Sequence, residues 1–154
     1  MAHKKERGSI AAEFVILLPI FLLILFAIVE FGRTMAIKNK LTTAAREGAR
    51  FGIRGGDIDV LYNKIIDALN QEKITPENVA KTLLLTTSTS GTIEVNLDSE
   101  DKYSSWTADN LLDSRGLPLQ IILSIPYHAY AFVPEFIPDF TIAGSVTMRR
   151  EMIN

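Results

Sequence analysis

The chain has 154 residues, no cysteine, 16 lysines plus arginines against 18 aspartates plus glutamates, and 47% hydrophobic residues. This excludes a disordered chain and a disulfide scaffold, and the formal charge of -2 excludes a whole-protein nucleic-acid footprint, which needs a basic surplus to release phosphate counterions. The charge is unevenly spread: residues 33–54 carry a net of +5 and residues 55–154 a net of -7, so a basic stem joins an acidic head.

From Phe14 to Val29 runs FVILLPIFLLILFAIV, sixteen residues without a charge. At about 1.5 Å per residue this spans roughly 24 Å, which is short for a membrane crossing. Extension back to Ile10 and forward to Phe31 gives about 22 residues, enough for a hydrocarbon core of roughly 30 Å. It also places Glu13 inside the apolar run. An acid at the centre of a membrane helix costs about 2.5–3.5 kcal/mol, less near the interface, so Glu13 invites a functional role, with snorkelling to the headgroups as the plainer alternative. Glu30 reads as an interfacial residue at the other boundary. Pro19 removes one backbone donor and predicts a kink or a loosened turn.

Three readings of this run compete: a retained membrane anchor, a cleaved secretory signal and a buried helix of a soluble protein. A cleaved signal should end in a small-residue site and then change character. Here the helical pattern continues through Phe31, Met35, Ile37, Leu41, Ala44, Ala45, Gly48, Ala49 and Gly52, which favours an anchor and one helix over residues 9–54. Such a helix is roughly 70 Å long, so its distal half must leave the bilayer and pack against something. Ala44, Ala45, Gly48, Ala49 and Gly52 let another backbone approach closely, either the head of the same chain or another stem. Lys4, Lys5 and Arg7 before the span are matched by Arg33, Lys38 and Lys40 after it, so charge alone does not assign sidedness.

Gly55-Gly56 ends the stem, and Asp57 or Asp59 caps a helix whose apolar stripe is Ile58, Leu61, Tyr62, Ile65, Ile66 and Leu69. Thr75-Pro76-Glu77 predicts a further helix start, fading into a polar loop over residues 86–91. Alternation then predicts three half-buried strands, around Ile93, Val95 and Leu97, around Leu119 to Tyr127, and around Phe140, Ile142, Val146 and Met148. Asp98, Glu100 and Asp101 form an acidic cluster that reads as a solvated turn, since it lacks the loop pattern and turn glycine of a cation site. The aromatic and proline-rich segment PYHAYAFVPEFIPDF reads as a loop packed on its own domain, with a docking surface as the alternative. His128 has no neighbouring metal ligand or nucleophile motif and is assigned to loop structure; no phosphate-loop or dinucleotide fingerprint is present, and neither an enzyme activity nor a cofactor is expected.

The basic leader MAHKKERG, the following SIAAEFVILLPIFLLILFAIVEFGR and then LTTAAREGARFG resemble the TadE-like family, minor pseudopilins of the Tad type IV pilus systems. The resemblance is dense over residues 4–54; beyond them only GSVTMRRE is similar. It implies an α+β, pilin-like fold, in which a long N-terminal transmembrane helix continues into a stem packed on a small antiparallel sheet head with one or two short helices. It implies three parts: a cytoplasmic leader over 1–8, the membrane and stem helix over 9–54, and an extracytoplasmic head over 55–154. It further implies cleavage by a prepilin peptidase after Gly8, leaving Ser9 as the N-terminus, and assembly with other pseudopilins and Tad pilus components at the bacterial cytoplasmic membrane. Phe14 stands where related major pilins usually carry Tyr, keeping the aromatic ring and losing the hydroxyl.

The spacing has a physical reason of its own. A new α-amine has a reference pKa of about 7.7–8 and is mostly protonated at neutral pH. Glu13 lies one helical turn from it, and within reach of the amine of a staggered neighbour, and lipid offers few competing partners for either charge. The rival reading is a single-pass envelope binding protein whose head recognises a ligand or partner and whose Gly8 and Glu13 are replaceable. A soluble secreted module is the third.

Overall fold

The structure, a computed structural model, describes residues 4–54, 57–100, 107, 116–130 and 140–150, with side chains described from residue 12 onward. The chain divides into two units, one ending at Met35 and the other beginning at Ala36.

Helix α1 covers Lys4–Gly52, continuous through Pro19. It starts before the expected residue 9, because Lys4, Lys5, Glu6 and Arg7 are good helix formers. It ends at Gly52 in a tight turn, with the amide of Arg54 donating to the carbonyl of Phe51 at 3.2 Å. In the first unit every large apolar side chain from Phe14 to Phe31 is at least 40% exposed. A helix apolar all round and left uncovered is suited to a hydrocarbon environment.

In the second unit, Asp57 caps α2 (Ile58–Gln71), its carboxylate accepting from the amide of Asp59 at 2.8 Å. Ile58, Leu61, Ile65, Ala68 and Leu69 are buried as one stripe, whereas Tyr62 and Ile66 at its margin are half-buried. The Nζ of Lys40 on α1 donates to the carbonyl of Glu72 at 2.7 Å, placing a cation on the last orphan carbonyls of α2.

The helix expected from Thr75 is instead a 3₁₀ turn, Pro76–Asn78, leading into strand β1 (Ala80–Thr87). The three consecutive leucines at 83–85 fit either period, but Thr82, Thr86 and Thr87 favour the pleated backbone. The sheet then decides, burying Leu83 and Leu85 and turning Leu84 to the other face. The expected loop over 86–91 is a hairpin: β2 (Gly91–Asn96) pairs back on β1 from Thr87 opposite Gly91. Gly91 has a φ of +74°, a conformation that suits glycine, and the Thr87 hydroxyl donates to its carbonyl at 3.0 Å. Strands β3 (Pro118–Pro126) and β4 (Thr141–Arg149) complete a four-stranded antiparallel sheet of order β2-β1-β3-β4, one strand more than the alternation predicts. Phe140, expected in the last strand, lies just outside it and is exposed.

The register lines up one apolar face, with Leu83 opposite Val95 and Ile121, Leu85 opposite Leu119, Ile121 opposite Val146 and Ile125 opposite Ile142. On this face the stretch of α1 from Ile37 onward and α2 share a single buried cluster with β1, β2, β3 and β4. The architecture is α+β and pilin-like, an N-terminal apolar helix whose distal part packs on a four-stranded antiparallel sheet together with a second helix.

Candidate functional site

Gly8 and Ser9 lie within α1, where only the backbone is described. Glu13 and Phe14 follow on the same helix and are exposed. The stretch Ala12–Gly52 is long and apolar enough to cross a membrane, and its most apolar window is wholly unburied. The residues expected to carry processing and assembly thus lie within two turns of one helix.

Ala44, Ala45, Gly48, Ala49 and Gly52 are all buried on the face of α1 turned to the sheet and α2. Their smallness is used within the chain. A Cβ added to Gly48 would stand 2.5 Å from Ile65 Cγ1 and 3.2 Å from Ile121 Cδ1; one added to Gly52 would stand 3.0 Å from Leu61 Cδ1 and 3.3 Å from Leu119 Cδ1. Of the two partners open for this stripe, the head of the same chain occupies it. The sequence reading missed the reciprocal residue, Gly144 on β4. A Cβ there would lie 2.5 Å from the backbone nitrogen of Thr42 and 2.7 Å from the carbonyl carbon of Leu41. Its signal was available: Gly144 is the gap in the apolar alternation from Ile142 to Met148, and a glycine inside a strand marks a close backbone approach.

At the end of the sheet where β1 begins, Lys81 is 2% exposed on the core face. Its ammonium donates to the carbonyls of Pro76 at 3.0 Å and Val79 at 2.8 Å and to Asp98 Oδ1 at 2.6 Å. Three donors meet three acceptors, which is what makes a buried lysine tolerable. Asp98 Oδ2 also accepts from the Lys81 amide at 3.0 Å, so one carboxylate holds both ends of this residue. The Tyr62 hydroxyl donates to Asp98 Oδ1 at 3.4 Å, and the Lys81 ammonium sits 5.6 Å from the centre of the Tyr62 ring. Burial first, then the charge of Asp98 and its hydrogen bond, then the charge of Glu77, push the Tyr62 hydroxyl above its ordinary pKa of 10.0.

The acidic cluster is therefore not simply a solvated turn, because the Asp98 carboxylate closes onto Lys81; Asp101 lies outside the described residues. Beside this pair runs a groove of about 880 Å³, bordered by Tyr62, Asn63, Ile66 and Asn70 of α2, by residues 76–81, and by Ser124, Pro126 and Thr141. Among the described residues no group of three or more His, Cys, Asp or Glu is placed to hold a metal ion. His128 falls in a short 3₁₀ turn, Tyr127–Ala129, and is exposed. Of the aromatic segment, Tyr127 stacks on Phe140 with ring centres 4.4 Å apart, and Tyr130 accepts from the Thr75 amide at 3.1 Å; residues 131–139 lie outside the described residues.

No curated protein and no solved structure matches the chain. The segment that carries Gly8, Glu13, Phe14 and the small-residue stripe up to Ala49 does match: residues 8–50, less than a third of the chain, are similar to the family described as TadE-like protein.

Proposed function

We propose that the protein is a minor pseudopilin of Tad pilus assembly, processed after Gly8 by a prepilin peptidase and held in the cytoplasmic membrane by α1 with its head outside. The TadE-like family is a pilin-like assembly family and not an enzymatic one. The observation that carries the reading is the coincidence of the family match, which starts at Gly8, with an uncovered apolar helix bearing one acid, Glu13, near its beginning. Cleavage after Gly8 creates an ammonium at Ser9, four residues from that acid, and in lipid each charge is the other's best available partner. Pairing between staggered copies relieves a cost that each isolated copy bears, so it favours assembly and fixes its register. N-terminal sequencing of the protein extracted from membranes of a peptidase-competent host is expected to begin at Ser9. A sequence beginning ahead of Gly8 in that host overturns the reading.

The groove beside Lys81 and Asp98 favours a second reading, a membrane-anchored envelope protein whose head binds a ligand. On that reading Gly8 and Glu13 are replaceable without loss of function, and replacing both decides between the two.

A further inference from the structure

Arg46, Arg50 and Arg54 recur every four residues along the end of α1 and its closing turn, and all three are exposed. At 3.6 residues per turn Arg50 stands roughly 160° around the helix from both Gly48 and Gly52, so the arginines form a ridge facing away from the packed seam. Like charges four residues apart weaken a helix. The acid nearby, Glu47, lies 3.6 Å from Arg50 in a pair more than half exposed, which contributes little. Arg50, in the last turn, favours the C-terminal end of the helix dipole, a role that does not call for a row of three arginines.

Helix α2 carries a second ridge of the same repeat, Asp59, Asn63, Asp67 and Gln71, with the last three exposed and Asp59 half-buried. Asp59 and Asp67 stand eight residues apart on α2, about 12 Å along its axis, and Arg46 and Arg54 are also eight residues apart, Arg46 and Arg50 on α1 and Arg54 in the turn that closes it. The two ridges do not face each other within one copy, because α1 meets α2 through Gly48 against Ile65 and Gly52 against Leu61, on the faces opposite the ridges.

We propose that the Arg46–Arg50–Arg54 ridge of one copy docks on the Asp59–Asn63–Asp67 ridge of a second copy. Rows spaced by four residues interlock when two helices pack, and guanidinium–carboxylate pairing supplies both attraction and geometry. The central pair is Arg50 with Asn63 whichever way the two helices run. The flanking charges are also opposite, Glu47 beside the arginines and Lys64 beside the acids. Since the two patches differ, the contact is head-to-tail and propagates from copy to copy. This goes beyond the proposed function and does not depend on leader processing.

The absence of cysteine makes the test direct. Two differently tagged full-length copies, one carrying Arg50→Cys and the other Asn63→Cys, are co-expressed in membranes and mildly oxidised. A disulfide-linked hetero-pair is expected, reduced at least fivefold when the first copy also carries Arg46→Glu and Arg54→Glu, and recovered when the second then carries Asp59→Lys and Asp67→Lys. Absence of the linked pair, a yield indifferent to the arginine reversals, or no recovery on the charge swap overturns the proposal.

Discussion

The ammonium of Lys81 lies 2.6 Å from the carboxylate of Asp98, but the two ends of this pair see different surroundings, the Lys81 side chain being 2% exposed and that of Asp98 35% exposed. The asymmetry sets the order of two mutational costs. Asp98→Ala strands the buried cation, which keeps only the carbonyls of Pro76 and Val79. Removing one partner of a buried pair costs about 3–5 kcal/mol, and the remaining carbonyls reduce this to roughly 2–3. Lys81→Met strands a carboxylate that reaches water, so about 1–2 kcal/mol is expected. Urea unfolding of the detergent-solubilised full chain, followed by near-ultraviolet circular dichroism, checks the order; Lys81→Met as the more damaging change contradicts it.

The glycines of the seam rank in a similar way by what each added methyl would meet. At Gly48 the obstacles are side-chain atoms of the buried Ile65, with Cγ1 at 2.5 Å, and of Ile121; a stiff β-branched side chain in a packed core yields only in part, but alanine regains up to about 1 kcal/mol of helix propensity. Gly144→Ala meets the backbone of Leu41 and Thr42, which does not yield. Overpacking costs about 1–3 kcal/mol, so Gly144→Ala is expected at or above the top of that range and Gly48→Ala, partly offset by helix propensity, within it. Thermal unfolding of the two variants in detergent tests the ranking, and equal midpoints would argue against it.

Those two glycines also mark what local sequence conveys. The apolar run from Phe14, the stripe of α2 and the alternation of β3 are repeats long enough to be read directly. Gly48 and its neighbours were legible as a close-packing face, but their partner is set by a chain reversal that no local pattern encodes. Strand β1 was misread because residues 83–85 suit both periods until β2 and β3 flank them. The burial of Lys81 depends on an aspartate seventeen residues away and leaves no periodic trace. For the proposed N-terminal site the balance is reversed, because Gly8, Ser9, Glu13 and Phe14 form a linear signature.

The raised pKa of Tyr62 ties stability to alkaline pH. The folded state holds the phenolic proton to higher pH than the unfolded chain, whose tyrosine titrates near 10. The stabilisation is thus complete below about pH 10 and is lost as pH rises through the folded pKa. Ultraviolet titration of the chain, which has four tyrosines, is expected to show a late component that Tyr62→Phe diminishes by one tyrosine. The same change should flatten the fall in stability above pH 10; an unchanged late component would assign it to another tyrosine.

Glu13→Ala separates the two things the N-terminal segment is proposed to do. On the proposed function, peptidase recognition involves the leader and the bond after Gly8 and lipid retention involves the apolar run, so neither is expected to require the carboxylate. Removing a charge from a lipid-facing helix also lowers the cost of inserting it. The variant is therefore expected to reach the membrane, to begin at Ser9 and to be at least as abundant there as the unaltered chain. What it lacks is the acceptor for a neighbour's ammonium, so recovery with other pilus components is expected to fall about tenfold or more, a loss worth roughly 1.4 kcal/mol per assembled contact. Glu13→Asp, which keeps the charge but shortens the reach, should retain an intermediate fraction. Normal piliation with Glu13→Ala would show that the acid only leans toward the headgroups and would remove the pairing from the assembly mechanism, whereas loss of cleavage would contradict the expected separation by placing the acid in peptidase recognition.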